Sequence, residues 1–394
     1  MPDTNITPEI AQNMNPVREA DTTTGAAQGP REGIALCLSG GGYRAMVFHL
    51  GALWRLNQLG FLKKLSRVSS VSGGSITAGV LGLAWKKLQF DANDVAGNFD
   101  QLVTQPIRKL AAITIDRGAI LEGSLLPFAT IADEIVKDYK KYLFGNATLQ
   151  DLPADNEGPR FVINSTNVQT RALWRFSKPF MGDYRVGLIR NPTISLAVAV
   201  GASSAFPPFL SPAELKLNPA DFDPTTNGGL QYEPYTSNVV LTDGGVYDNL
   251  GLETAWKNYK TILVSNGGGV PTNEPKPAHD WARHTYRILD LLYDQVGSLR
   301  IRQVIGSYEA KLRQGTYWGI GTDIKNYQLP NALNCPHDET MVLANTPTRL
   351  ASMDAELQEQ LINWGFAVCD AAMRKHVDNS LPAPSGFPYP EAGV

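Results

Sequence analysis

Three short segments of this chain combine residue types that could carry out acyl transfer. In the first, Ser75 directly follows two glycines, between a β-prone run and a helical pattern. A serine at a tight strand-to-helix turn fits a nucleophile elbow, in which the turn lifts the hydroxyl clear of the sheet. The segment Gly73–Thr77 (GGSIT) matches G-x-S-x-G except at its last position, a threonine. An ordinary helix N-cap is the alternative interpretation of this serine.

The second segment is Gly40–Arg44 (GGGYR), a run of three glycines after an apolar stretch. Glycines allow the backbone to turn several N–H groups towards one point, where they can hold an oxyanion. A dinucleotide-binding turn is the alternative, because the segment also fits G-x-G-x-x-A. That site needs an acidic residue about twenty positions further on to hold the ribose. The window from Gly33 to Phe90 has no Asp or Glu and several basic residues, which favours an anionic substrate over a nicotinamide dinucleotide.

The third segment is Asp243–Gly245 (DGG), at the end of a short β-prone run. The two glycines leave the carboxylate of Asp243 room to approach another group. A plain turn is the commonest role of Asp-Gly. Because the ends of successive parallel strands line one edge of a sheet, we expect Asp243 to face Ser75.

Histidine offers a competing base for Ser75. An α/β-hydrolase has the order Ser…Asp…His, so a histidine after Asp243 would complete a triad. The downstream candidates are His279, His284, His337 and His376. None follows a predicted strand directly, so a serine–aspartate pair is favoured, with the triad as its alternative.

The elements that must position these segments are strands followed at once by helices. Strand Ile34–Leu38 precedes the first glycine turn and a helix over Tyr43–Leu59. Strand Val68–Val71 precedes the second turn and a helix from Ser75 to Lys87. Two strand–turn–helix units in succession predict βαβ architecture, with both turns at the carboxyl edge of a parallel sheet. Further strands are predicted at Arg160–Asn167, Ala172–Phe176, Asn238–Thr242 and Thr261–Ser265.

In this order and context the three segments resemble those of the patatin-like phospholipases, over about residues 33–265. In that family the glycine turn forms the oxyanion hole, the elbow serine is the nucleophile and the aspartate of D-G-[G/A] is its base. The resemblance therefore implies Ser75 as nucleophile and Asp243 as base. It implies an oxyanion hole of Gly40, Gly41 and Gly42, supported by Arg44, Gly73, Gly74, Gly244 and Gly245.

The resemblance also implies a fold: a three-layer α/β/α patatin-like fold with a central, mostly parallel sheet. We expect a single domain over residues 32–380. Within it, residues 91–155 are predicted to form a helical cap and residues 281–376 to contain C-terminal helices. A mobile arm (1–31) and a proline-rich tail (381–394) are expected at its ends.

The implied activity is that of a lipid acyl hydrolase of the phospholipase A or lysophospholipase type. It would cleave a phospholipid or lysophospholipid through an acyl-enzyme. Two alternatives stay open: a membrane-degrading effector activated by a small nucleotide, and a non-catalytic lipid-binding protein on the same fold. The apolar loops Leu125–Phe128 and Phe206–Leu210 are candidate contacts with lipid, with burial under the helical cap as the alternative for both.

Composition narrows the partners. The 394 residues are 43% hydrophobic with a net charge of −3, which gives no reason to expect a nucleic-acid polymer. The three cysteines have no metal-type spacing, and neither a metal nor an organic cofactor is implied. The start of the chain lacks a signal-peptide pattern, and no apolar run approaches a membrane span. We therefore expect a cytoplasmic protein that associates transiently with a membrane surface, with a homo-oligomer left open.

Overall fold

The structure, a computed structural model, describes residues 30–116, 128–208 and 210–394, with side chains from residue 132 onward in the second range. The predicted arm up to residue 29, Leu125–Pro127 of the first candidate lipid loop, the side chain of Phe128, and Phe209 of the second loop lie outside this description.

The described residues form one mixed sheet of eleven strands. Its spatial order is β11-β10-β1-β2-β3-β4-β5-β6-β8, and β9 pairs with both β3 and β7. The strands from β11 to β3 pair in parallel, and the remaining pairs are antiparallel. The bounds are β1 Arg31–Leu38, β2 Leu65–Val71, β3 Arg160–Asn167, β4 Ala172–Phe176, β5 Phe180–Asp183, β6 Gly187–Arg190, β7 Ala213–Lys216, β8 Phe222–Asp223, β9 Asn238–Asp243, β10 Tyr259–Asn266 and β11 Gln314–Gly319.

Helices cover both faces of the sheet. On β1, Leu36 and Leu38 belong to one buried apolar cluster, whereas Ala35 and Cys37 belong to another on the opposite face. This alternation is expected of a strand covered on both sides. The α-helices are α1 Gly42–Gln58, α2 Gly73–Ala84, α3 Gln105–Ala111, α4 Phe128–Tyr139, α5 Leu196–Ser203, α6 Gly245–Asp248, α7 Glu253–Trp256, α8 Trp281–Glu309, α9 His337–Ala344 and α10 Ala355–His376. The predicted α/β/α class is confirmed, while the division into a domain and a cap stays a prediction.

The C-terminal helix α10 packs directly on α1, which begins at the glycine turn. The two backbones approach closely through two glycines. A Cβ on Gly365 would lie 1.9 Å from the carbonyl oxygen of Phe48, and one on Gly51 would lie 2.0 Å from that of Ile362. Residues 281–376 are not helical throughout, because strand β11 follows α8 and joins the sheet beside β10.

Strand β3 brings the ends of β2 and β9 together. It pairs with β2 up to Asn164, opposite Val71, and with β9 from Ser165, opposite Asp243. Residues 163–167 of β3 pair with β4 along the other edge. β9 must therefore lie along the same edge as β2, running in the opposite direction, so that the two strands meet end to end. The expectation that Asp243 ends a strand parallel to β3 is wrong, yet the antiparallel arrangement still delivers it to the end of β2.

Candidate active site

Ser72, the first residue after β2, has the strained backbone of a nucleophile elbow. Its φ is 51° and its ψ is −121°, a conformation rare for a residue with a side chain. The helix α2 begins at the next residue, Gly73. A Cβ on Gly73 would lie 2.1 Å from the carbonyl oxygen of Gly42, and one on Gly74 would lie 2.5 Å from that of Leu38. The two turns that the sequence singled out are thus packed backbone to backbone.

The side chain of Ser203, the last residue of α5, forms a hydrogen bond with the backbone of this elbow. Its Oγ accepts a hydrogen bond from the backbone N–H of Ser72 (3.0 Å) and donates one to the carbonyl oxygen of Asn164 (2.6 Å). Ser203 is fully buried. It therefore ties the first residue after β2 to the neighbouring strand β3, where ladder pairing between β2 and β3 stops.

Asp243 is the acidic group beside Ser72. Its side chain is buried, and Oδ1 accepts a hydrogen bond from the backbone N–H of Gly245 at 2.6 Å. Burial raises the pKa of Asp243 to about 7, although the N–H of Gly245 and the nearby hydroxyl of Ser72 each oppose that rise. Within the described part of the chain, Oδ2 accepts no well-aligned hydrogen bond. The Ser72 hydroxyl is therefore close to the carboxylate of Asp243 without forming a well-aligned hydrogen bond to its Oδ2.

The structure does not bring Ser75 to Asp243. Ser75 lies in the first turn of α2, fully buried, with its Oγ 3.0 Å from that of Ser70 and 2.9 Å from that of Ser203. Its hydroxyl belongs to a serine network underneath the elbow. The physical reason is that the sharp turn occurs immediately after the strand, three residues before Ser75. A signal for this existed, because Ser70–Gly74 (SVSGG) also matches G-x-S-x-G at all but its first position.

The glycine turn lies against the elbow. A Cβ on Gly40 would lie 3.1 Å from that of Ser72. Gly41 and Gly42 have φ values of 141° and 59°, which favour glycine. The N–H of Gly40 already donates to the carbonyl oxygen of Asn249 at 3.1 Å. The other two predicted oxyanion donors are the N–H groups of Gly41 and Gly42. Among the turns and loops of the described ranges, neither of these N–H groups donates a hydrogen bond to a backbone oxygen.

Arg44 fastens this turn to the loops behind it. Its Nε donates to the carbonyl oxygen of Gly267 at 3.1 Å, and its Nη1 donates to that of Thr346. Burial lowers the pKa of Arg44 to about 10, so the side chain remains a cation at neutral pH. These contacts link the start of α1 to the loops at Gly267 and Thr346, while the supporting role of Arg44 in an oxyanion hole stays a prediction.

Helix α8 contributes a site residue that the sequence did not single out. The hydroxyl of Tyr293 lies 2.7 Å from the position that a Cβ on Gly245 would occupy, and its ring packs edge-on against Phe206. Burial, and then the charge of Asp243, raise the pKa of Tyr293 well above its ordinary value. The first glycine of the motif, Gly244, faces β3: a Cβ there would lie 2.3 Å from the carbonyl oxygen of Asn164.

Two of the four downstream histidines have contacts away from Ser72 and Asp243, whereas His279 and His337 are exposed. His284 Nδ1 lies 3.2 Å from the carbonyl oxygen of Ala278, and His376 packs against Tyr327. A further histidine, His49, is fully buried, and its two ring nitrogens lie within hydrogen-bonding distance of Ser265 Oγ (2.8 Å) and the carbonyl oxygen of Ser39 (2.9 Å). Burial lowers the pKa of His49 to about 4, which keeps it neutral. It links β10 to the end of β1.

The described ranges leave out residues 1–29, 117–127 and 209. No helix within the described ranges is both long and apolar enough to cross a bilayer. No cluster of three or more His, Cys, Asp or Glu side chains there has a geometry that could hold a metal ion.

The chain resembles human GIVD cytosolic phospholipase A2 with 12% identity and a TM-score of 0.47, over 85% of this chain and 60% of the enzyme. It resembles VipD from Legionella pneumophila with 15% identity and a TM-score of 0.32, over 84% of this chain and 66% of VipD. It thus spans less than two thirds of either protein. No curated protein sequence matches it.

A family model decides the assignment. The model described as patatin-like phospholipase matches residues 36–256, more than half of the chain. The match contains the glycine turn, the elbow at Ser72 and the aspartate Asp243, whose geometry is given above. Such a match supports lipid acyl hydrolase activity in general terms. The chain belongs to the patatin-like phospholipase family.

Proposed function

We propose that this protein hydrolyses a carboxylic ester of a phospholipid or lysophospholipid through a dyad of Ser72 and Asp243. The observation that carries the proposal is the strained Ser72 beside a buried carboxylate whose pKa is raised to about 7. A general base is most effective when its pKa lies near the working pH. An ordinary surface aspartate, with a pKa of about 3.9, would be a much weaker base.

In the first half of the reaction, Ser72 Oγ attacks the ester carbonyl carbon while Asp243 accepts the hydroxyl proton. The carbonyl oxygen becomes an oxyanion within reach of the N–H groups of Gly41 and Gly42. Loss of one such donor typically costs about 10²–10³ in rate. The tetrahedral species then collapses: the bond to the leaving alcohol breaks, and protonated Asp243 returns its proton to that oxygen. The acyl group remains bonded to Ser72 Oγ.

In the second half, water takes the place of the alcohol. Asp243 accepts a proton from the water as its oxygen attacks the acyl carbon. Collapse of this second oxyanion breaks the bond to Ser72 Oγ, which recovers its proton from Asp243. A fatty acid leaves, and the dyad returns to its starting state.

The test compares two serines three residues apart. We expect Ser72→Ala to lower hydrolysis of a fluorescent phospholipid by about 10³ or more, because the nucleophile is lost. Ser75→Ala is the matched control: it removes a buried hydroxyl of the same network and should retain at least about a tenth of the activity. Folding of both variants is checked by circular dichroism. An inactive Ser75→Ala beside an active Ser72→Ala would return the nucleophile to Ser75 and refute the proposal.

Chemical labelling gives an independent readout. An alkyl fluorophosphonate should phosphonylate the wild type at Ser72, mapped by mass spectrometry of the peptide that spans the elbow. Asp243→Asn should label much more slowly, because the hydroxyl then lacks its base. An adduct on any other serine would contradict the assignment.

A further inference from the structure

Helix α8 exposes an unusual amount of apolar surface. Of the fourteen most exposed large apolar side chains in the described residues, nine belong to this single helix. Six of them form what we call the α8 apolar face, each between 37% and 59% exposed: Ile288, Leu289, Leu291, Leu292, Val296 and Leu299. Single exposed leucines are normal, but a contiguous patch of this kind marks an interaction surface.

The α8 apolar face is broad and uncharged. At 100° per residue its six side chains span an arc of about 160° around the helix. Between Ile288 and Leu299 the arc contains one polar residue, Gln295, whereas Asp290 and Asp294 fall on the other side of the helix. A seam between two paired helices is narrower, because it is built from two positions in each heptad. A broad uncharged arc fits an extended apolar medium better than a second helix.

The opposite side of the same helix covers the candidate active site. Tyr293, about a third of a turn from Leu292, is turned inward towards Gly245 and packs on Phe206. A medium in contact with the apolar face would therefore lie about one helix diameter, ~10 Å, from the dyad. At the start of the helix stands Trp281, 84% exposed. Tryptophan is enriched where protein meets the headgroup layer of a bilayer.

We propose that the α8 apolar face is the surface by which this protein docks on a phospholipid bilayer. This proposal rests on the proposed function. We choose a bilayer as the partner of the α8 apolar face because the proposed substrate of the dyad is a lipid. Docking in this mode depends on the buried apolar area and only secondarily on anionic lipid, because the face carries no charge. A helix with one broad apolar face lies in the interface plane and does not cross it.

Binding is tested without catalysis, in the full-length Ser72→Ala protein. The docking variant carries Leu289→Gln, Leu292→Gln and Leu299→Gln, which keep side-chain length and helix propensity. Its matched control carries Val168→Gln, Tyr232→Gln and Val342→Gln. These three residues lie outside α8, and their side chains are 53%, 55% and 71% exposed. In flotation with phosphatidylcholine vesicles, we expect the docking variant to lose about tenfold or more in partitioning. The control should float as the Ser72→Ala parent does.

Trp281 supplies a second readout. Its fluorescence, isolated as the difference between the Ser72→Ala protein and the same protein with Trp281→Phe, should shift to the blue when vesicles are added. The docking variant should show no such shift at the same lipid concentration. Equal thermal stability of all variants keeps misfolding from imitating the result.

Three outcomes would overturn the proposal. The first is equal flotation of parent and docking variant, and the second is no flotation of the parent at all. The third is a lipid-free dimer of the parent, seen by light scattering, that the docking variant converts to monomer, because the face would then belong to a second copy. Failure of the proposed function looks different: the wild type would hydrolyse neither vesicle lipid nor a soluble short-chain ester, while vesicle binding by the parent still succeeds.

Discussion

At the scale of single residues, the proposed dyad depends on the burial of Asp243, which disfavours the charged form of its carboxyl group. Burial raises the pKa of Asp243 to about 7, and only the ionised carboxylate can accept the proton of Ser72. We therefore expect kcat/KM to rise with pH, to reach half its plateau near pH 7, and to fall about tenfold per unit below that. A pH–rate profile on a soluble ester measures this directly. A half-point near pH 4 would show an ordinary, solvated carboxylate.

The same shift should be visible in stability. The folded state binds the proton of Asp243 more tightly than the unfolded state, so its contribution to stability is present below about pH 4 and is lost as pH rises through about 7. A rise from 3.8 to about 7 corresponds to ~4 kcal/mol as an upper bound. Asp243→Asn, though inactive, should unfold at higher urea than the wild type at pH 8. The gain should vanish towards pH 4; a gain independent of pH would refute this account.

Ser203 is a positioning residue, because it touches the backbone of Ser72 and not the reacting atoms. Ser203→Ala leaves two buried groups unpaired, the N–H of Ser72 and the carbonyl of Asn164, at a cost of about 1–3 kcal/mol. We expect kcat to fall about ten- to a hundredfold with little change in KM, as the elbow relaxes. Ser204→Ala is the matched control, because the hydroxyl of Ser204, one residue past the end of α5, donates to the carbonyl oxygen of Val200 at 2.8 Å. Equal effects on kcat would remove the special role of Ser203.

At the scale of elements, the closest contact that supports the site is the crossing of α1 and α10. Gly365→Ala would place a Cβ 1.9 Å from a backbone oxygen of α1, which must move, so we expect a loss of at least about 3 kcal/mol in unfolding free energy. Apart from its chain neighbours and the backbone of its own helix, a Cβ on Gly297 in α8 would have no heavy atom within 4 Å. Gly297→Ala should therefore raise the unfolding free energy by less than about 1 kcal/mol. Urea unfolding compares the two. A tolerated Gly365→Ala would mean that the helices can separate without cost.

The same scale shows what the sequence could and could not predict. Strand β3 was predicted with its observed bounds, because a run of apolar and β-branched residues between turns needs no tertiary context. β9 was predicted as a strand, but its antiparallel direction was not, since direction depends on the long connection from β3. The elbow was located to within three residues. Two serines flank the glycine pair, and only the turn geometry shows that Ser72, not Ser75, is strained.

The packing of α8 could not be predicted from the sequence, for another reason. The sequence predicts helices within residues 281–376, but a helix pattern gives no sign of which neighbour a helix packs on or which apolar residues stay uncovered. Tyr293 therefore could not be connected with Asp243 from sequence. β11 was missed because its six residues alternate weakly after a long helix.

At the scale of the whole molecule, the site is enclosed. Ser72 is 7% exposed and Asp243 is 1% exposed, so the substrate of the proposed reaction would have to enter past the surrounding elements. One side of α8 faces the proposed dyad, and the α8 apolar face lies on the other side. If that face docks as proposed, the bilayer that contains the substrate lies against the helix that encloses the site.

The end-to-end meeting of β2 and β9 carries a consequence for how the protein is made. The two members of the proposed dyad are 171 positions apart, 243 minus 72, at the ends of two strands that both pair with β3. A chain emerging from the ribosome presents the elbow long before β9 exists to supply the carboxylate. Until β9 is added alongside β3, the proposed dyad has no base. The proposed activity would thus be acquired late in assembly, once β9 has joined the sheet.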